Sequence, residues 1–75
     1  ALIVPKMHIE SAADITAENS DIVKAVFEAA AIIAKENSLN NGFRIVTNSG
    51  EYGCQSVKHI HFHLLSGKQL SESMA

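Results

Sequence analysis

HIHFHLL, running from His59 to Leu65, holds three of the chain's four histidines and sets each beside an apolar residue. A purification tag is consecutive histidine at a terminus, and this run is neither. Alternation of this kind is the signature of a half-buried β-strand, because successive side chains on a strand point to opposite faces. Extended backward, the period of two predicts a strand over residues 55–65. Val57, His59, His61, His63 and Leu65 then share one face, and Lys58, Ile60, Phe62 and Leu64 take the other. Three imidazoles would stand in a row along one side of a sheet.

Upstream, FRIVTN at residues 43–48 is rich in β-formers and predicts a second strand, joined to the first by the glycine-punctuated loop SGEYG. Before it, DIVKAVFEAAAIIAKENSLN has helical periodicity. Ile22, Val26, Ala29 and Ile33 form one line at spacings of four, three and four, with Val23, Phe27, Ala30 and Ala34 beside it. Asp21 suits the positive end of this helix, Ser20 or Asn19 can cap it, and Asn40-Asn41-Gly42 offers left-handed residues to end it. Ala1 to Val4 is an apolar run closed by Pro5, which has no N–H to give a ladder, so a short strand ends there. Between them, residues 10–20 read as a connection with a turn of helix at 16–19. The tail KQLSESMA is polar and expected to be partly mobile.

With 75 residues, 47% of them hydrophobic, and a formal net charge of −2, the chain makes one globular domain or a piece of one. Its longest apolar stretch, residues 22–34, carries Lys24 and Glu28 and is shorter than the ~20 residues a membrane span needs. Acids and lysines are interspersed, so no basic stripe offers itself to a nucleic-acid backbone. The single cysteine, Cys54, fits a reducing, cytoplasmic setting. A core this small, without disulfides, is marginal at ~3–5 kcal/mol, which calls for a partner chain or for more sequence. ALIV, with no initiator methionine, resembles the middle of a buried strand, so an N-terminally shortened chain is expected.

Three kinds of chemistry compete for the histidine row. Packed, hydrogen-bonded histidines are the plain alternative, but three would each need a partner at ~1–3 kcal/mol per unsatisfied group. Metal binding is limited by reach, since residues four apart on a strand lie ~13 Å from one another and each ligand nitrogen must come within ~2.1 Å of the ion. Nucleophilic chemistry needs a neutral imidazole whose second nitrogen is held by an acceptor, with another imidazole to protonate the leaving group. The flanking NSGEYGCQS supplies Asn48, Gln55 and Ser56 as neutral donors and two glycines that let backbone N–H groups approach an anion. That combination suits a phosphate ester.

These residues resemble the histidine triad (HIT) superfamily, whose motif is His-φ-His-φ-His-φ-φ with φ apolar. HIHFHLL satisfies every position. LIVPKMHI resembles the family's strand ending in Pro-Lys-x-His-Ile. NNGFRIVTNSGEYGCQSVKHIHFHLLSGKQL is similar to the strand, loop and strand of its nucleotide-binding, Hint-like branch, with the helix between as expected. Nearly all of the chain is covered. The resemblance implies an α+β fold, a HIT-like antiparallel sheet with a long helix, of which residues 1–75 are the C-terminal portion of a single HIT domain.

It also implies a nucleotide hydrolase or transferase that cleaves nucleoside phosphoramidates or related purine nucleotide conjugates. By position, His61 is the nucleophile that becomes nucleotidylated, His59 supports its orientation, and His63 bonds the phosphate or leaving group with Ser56 nearby. Asn48, Cys54, Gln55, Ser56, His61, Phe62 and His63 line the nucleotide. No cofactor is required; in some members a zinc is held by the equivalents of His8 and His59 with two cysteines from the N-terminal part, so this chain alone is expected to bind none. The partners implied are a purine nucleotide and a second copy of the chain, with no nucleic-acid polymer and no membrane. Cys54 stands where the branch usually has glycine, and the tail departs from the branch after Gln69-Leu70. The alternative is a non-catalytic nucleotide-binding or interaction protein that retains the fold.

Overall fold

The computed structural model describes residues 1–67, in which β1 (Leu2–Ile3), α1 (Asp21–Glu36), β2 (Arg44–Val46) and β3 (Phe62–Leu65) follow one another. The three strands form one antiparallel sheet in the order β1-β3-β2, so the end of the histidine run is its central strand. Leu2 faces His63 and Ile3 faces Phe62 on one side of β3; Val46 faces His63 on the other. Pairing with β1 starts at Ala1, whose carbonyl accepts from the Leu64 N–H at 2.8 Å, and the strand stops short of Pro5 as its ring requires. The polar tail at residues 68–75 lies outside the described residues.

Alternation places the core. Ile60, Phe62 and Leu64 are buried at 1%, 5% and 4% exposure, while His59, His61 and His63 between them are half-buried. Ile9, Val26, Ile60 and Phe62 form the central cluster, with Ile3, Ala12, Ile15, Ile22 and Ile45 packed around it. α1 contributes the face predicted for it: Val26 and Ala30 are buried, and Ile22, Val23, Ala29, Ile33 and Ala34 are partly so. Phe27 and Ile32 are instead more than half exposed. No helix among the described residues is long and apolar enough to cross a membrane.

Several local expectations are corrected. The predicted strand over residues 55–65 has ladder pairing only at Phe62–Leu65. β1 and β2 run out after Ile3 and Val46, so residues before Phe62 have no neighbouring strand to pair with. The chain there stays extended enough to keep the alternation, and Ile60 is tied instead by its N–H to the Ile9 carbonyl at 2.6 Å. The strand predicted at residues 43–48 is likewise only Arg44–Val46.

The turn expected at residues 16–19 is a single one, closed by the Asn19 N–H on the Thr16 carbonyl at 3.2 Å, and a 3-10 turn precedes it at Ala12–Asp14. Ser11 and Asp14 make a reciprocal cap there: the Ser11 hydroxyl accepts from Ala13 N–H and the Asp14 carboxylate accepts from Ser11 N–H. Neither Asn19 nor Ser20 caps α1 through its side chain. The Asn19 amide is spent backward, accepting from Thr16 N–H at 2.7 Å and donating to the Asp14 carbonyl. At the other end α1 closes before Asn40-Asn41-Gly42. Ser38 takes the left-handed conformation at φ 54°, Ser38 N–H reaches the Lys35 carbonyl and Leu39 N–H the Ala34 carbonyl, the pair of bonds that terminates a helix one residue past its cap.

Candidate active site

Alternation brings the three imidazoles to the same half-buried level, but their contacts divide them. His61 and His63 meet edge to face with ring centroids 5.3 Å apart. His59 turns the other way and meets His8, 51 positions earlier, with the two Nδ1 atoms 3.2 Å apart. A continuous row of three is therefore replaced by two pairs. The cause is the Pro5 carbonyl, which lies 2.8 Å from His59 Nε2 and holds that ring against the segment leaving β1.

Backbone carbonyls decide the tautomers, since a carbonyl only accepts. His59 Nε2 must donate to Pro5, which leaves Nδ1 of the neutral ring as an acceptor for His8 Nδ1–H. His61 Nδ1 lies 2.8 Å from the His59 carbonyl and must donate to it. In neutral His61 the lone pair then belongs to Nε2. His59 thus supports His61 through its main chain, not through its ring.

Thr47 was not marked by any pattern in the sequence. Its hydroxyl donates to the His61 carbonyl at 2.8 Å, directly after the β2 ladder ends at Val46. A side chain takes over the role that ladder hydrogen bonds have given up, and it fixes the main chain at His61. Only the register between β2 and β3 reveals this contact.

The loop ahead of the histidines closes on itself. Gly50 N–H donates to Gln55 Oε1 at 2.8 Å, Cys54 N–H to the Glu51 carbonyl, and Gln55 N–H to the Gly50 carbonyl at 3.0 Å. Gly53 has no room for a side chain: a Cβ would overlap the Ser49 carbonyl oxygen and come within 2.9 Å of Ser49 N. Of the residues expected to line a nucleotide, Asn48 is half-buried just past β2, while Cys54 and Ser56 are exposed. Gln55 has its side-chain amide bonded to main-chain groups of Gly50, Glu10 and Val57, and Phe62 has its ring in the core, so Phe62 can meet a ligand only through its backbone.

Cys54 adopts φ 60°, a left-handed conformation that costs an L-residue roughly 1–2 kcal/mol and glycine almost nothing. That is a physical reason for glycine at this position. Cys54→Gly is expected to stabilise the protein by about 0.5 kcal/mol, after glycine's greater unfolded-state entropy is subtracted, and to raise Tm by ~2–4 °C. A lower Tm in thermal denaturation would contradict the strain.

A metal has half a site at most among the described residues, where no group of three or more His, Cys, Asp or Glu converges. The His8 and His59 Nδ1 atoms, 3.2 Å apart, match the ~3.3 Å separation of two nitrogens on one tetrahedral zinc at ~2.0–2.1 Å. The Pro5 carbonyl on His59 Nε2 is the kind of outer partner that orients a ligating imidazole. These two residues would hold one side of a zinc, and further ligands would have to come from elsewhere. A separate groove of about 260 Å³ between the exit of β1 and α1 is lined by Ile3, Val4, Pro5, Met7, Ile22 and Val26 among others, and by none of the histidines.

Comparison with known proteins bears on the whole chain. The HIT domain family model matches residues 1–70. The chain is 43% identical over 70 residues to an uncharacterised HIT-like protein of Buchnera aphidicola, covering 92% of this chain and 61% of that protein. It is 42% identical over 72 residues to a 14 kDa zinc-binding protein of Brassica juncea, covering 93% and 64%. It is 35% identical over 75 residues to the purine nucleoside phosphoramidase of Escherichia coli, covering 99% and 63%. Among solved structures, a histidine triad protein from Clostridium difficile superposes with a TM-score of 0.91 at 42% identity, covering 96% of this chain and 64% of that one. A HIT family hydrolase from Clostridium thermocellum does so with a TM-score of 0.92 at 33% identity, covering 99% and 65%. The chain thus spans a little under two thirds of the length of these relatives. With the triad motif complete, the α+β architecture shared and the family match extending over 70 of its 75 residues, the chain belongs to the HIT domain family, in the neighbourhood of its Hint-like members.

Proposed function

We propose that this chain is the C-terminal portion of a HIT nucleotide hydrolase or transferase that cleaves purine nucleoside phosphoramidates or related purine nucleotide conjugates in the cytoplasm. The observation that carries the reading is the 2.8 Å contact from His61 Nδ1 to the His59 carbonyl, because it leaves a lone pair on Nε2 of the neutral ring. That nitrogen attacks the α-phosphorus. A P–N bond forms to His61 as the bond to the leaving group breaks, and the departing amine takes a proton from His63 or, through its hydroxyl, from Ser56. The ring of His61 is cationic in the nucleotidyl intermediate, and the His59 carbonyl supports the proton on Nδ1. Water then attacks phosphorus as the P–N bond to His61 breaks, giving up a proton to the group that protonated the amine, so the neutral imidazole returns and the nucleoside monophosphate is released.

Because the N–H groups of Gly50, Cys54 and Gln55 are committed within the loop, the phosphate is met by groups beyond them, Ser56 first, with Asn48 across the loop. No step needs a cofactor; a zinc on His8 and His59 would brace the segment behind His61. The reading is tested by giving the full-length protein a purine nucleoside phosphoramidate and following amine release. Nucleotide binding without turnover in intact wild-type protein would favour the non-catalytic alternative.

The same protein is proposed to work as a homodimer. The alanine-rich side of α1 is the side proposed for a second copy: Ala30 is already buried within its own chain, but Ala31 and Phe27, the latter 54% exposed, border it and remain open. A two-fold contact there would add the apolar burial that a 75-residue core lacks. Sedimentation is expected to show a dimer at micromolar concentration, and a stable folded monomer would count against it.

A further inference from the structure

The Gln55 side chain carries more hydrogen bonds than any other in the loop, and none is directed toward the histidines. Its Nε2 donates to the Glu10 carbonyl, 45 positions away, and to the Val57 carbonyl at 2.9 Å; its Oε1 accepts from Gly50 N–H at 2.8 Å. All three partners are main-chain groups, so one amide joins the two ends of the glycine loop and ties both to the segment that follows β1. A second tie joins the same two segments, from Ala12 N–H to the Ser49 hydroxyl at 3.2 Å, and keeps its geometry only while Gln55 holds the loop in place. The receiving segment is itself stiffened by the Ser11–Asp14 cap, with Ser11 buried at 8% exposure. Loops held only by their own turns open at little cost, whereas one bonded to a capped turn beside the core opens only when that turn does.

We propose that Gln55 is a positioning residue whose side chain staples the phosphate loop to Glu10, and that Ser56 is thereby presented to the substrate phosphate at a fixed place ahead of His61. An amide is the group this position needs. It must donate twice and accept once, which glutamate cannot do, because a carboxylate only accepts and would face two carbonyl oxygens. The functional half of the proposal rests on the phosphate reading given above; the structural half does not.

Gln55→Glu and Gln55→Met, the second removing the donors without adding charge, separate the two halves when measured in the full chain. By amide hydrogen exchange, Gly50 and Ala12 are expected to exchange at least ~10-fold faster in both variants, while Leu64 and the amides of α1 keep their wild-type rates. Wild-type exchange at Gly50 and Ala12 would overturn the staple whether or not the protein binds a nucleotide. In the binding arm, affinity for a purine nucleoside monophosphate is expected to fall ~10-fold or more, with affinity for the parent nucleoside unchanged within about twofold. Equal loss for nucleoside and monophosphate, or no loss for either, would overturn the phosphate-positioning role. If wild-type protein binds neither ligand, the nucleotide reading falls, and the exchange result still decides the staple.

Discussion

His61→Ala is expected to remove turnover of a purine nucleoside phosphoramidate by ~10⁴-fold or more, because it deletes the atom that forms the covalent intermediate. No neighbouring side chain substitutes easily. His63 meets His61 edge to face, but among the described residues no carbonyl holds its Nδ1 as the His59 carbonyl holds that of His61. His63→Ala should be milder, at the ~10²–10⁴ typical of a lost proton donor, since attack can still proceed by a poorer proton path. His59→Ala should be milder again. The carbonyl that holds His61 Nδ1 is main chain and survives the substitution, so what is lost is the tie from the ring to Pro5 and His8. The expected order of damage is therefore His61, then His63, then His59. Rapid quench of full-length protein with labelled substrate, followed by mapping of the peptide over residues 56–66, checks it. A nucleotidyl group on His59 or His63, or full activity in His61→Ala, would refute the mechanism.

Ile60→Ala should have the largest effect on folding, although no ligand touches it in the proposed mechanism. Ile60 is 1% exposed, lies between His59 and His61, and packs with Ile9, Val26 and Phe62. Removing its outer carbons costs ~3–4 kcal/mol in lost burial and cavity. In a domain whose core supplies little more than that, the variant should be mostly unfolded at 37 °C. Urea titration should show a sharply lower midpoint with an unchanged slope, while Val57→Ala, at a site 58% exposed, should stay within ~0.5 kcal/mol of wild type. Equal effects at both positions would mean that alternation does not define the core. The two experiments also separate site from scaffold: His61→Ala should retain wild-type melting, whereas Ile60→Ala should lose activity because it loses structure.

What the chain alone determined is whatever depends on near neighbours. Ile60, Phe62 and Leu64 had to fall on the face opposite His59, His61 and His63, because side chains alternate along any extended backbone, with or without a ladder. The apolar line through Ile22, Val26, Ala29 and Ile33 likewise required a helix with that face inward. The identities in HIHFHLL, with Asn48, Gln55 and Ser56 ahead of it, were enough to indicate the family.

Tertiary structure alone decided where these patterns stop and what the polar groups do. The strand begins at Phe62 because β1 and β2 end where they do, which is a property of the partners. Residues 16–19 stop at one hydrogen-bonded turn, with the Asn19 side chain folded back on Thr16 and Asp14, and the capped 3-10 turn lies ahead of them at Ala12–Asp14. His59 pairs with His8 rather than completing a row, and Gln55 faces Glu10 rather than a ligand, through contacts spanning 51 and 45 positions. A hydrogen-bonding side chain has many partners within reach of its chemistry, and the fold chooses among them by bringing one carbonyl to within about 3 Å. Periodicity carries no information about that choice, because the carbonyl belongs to a distant part of the chain.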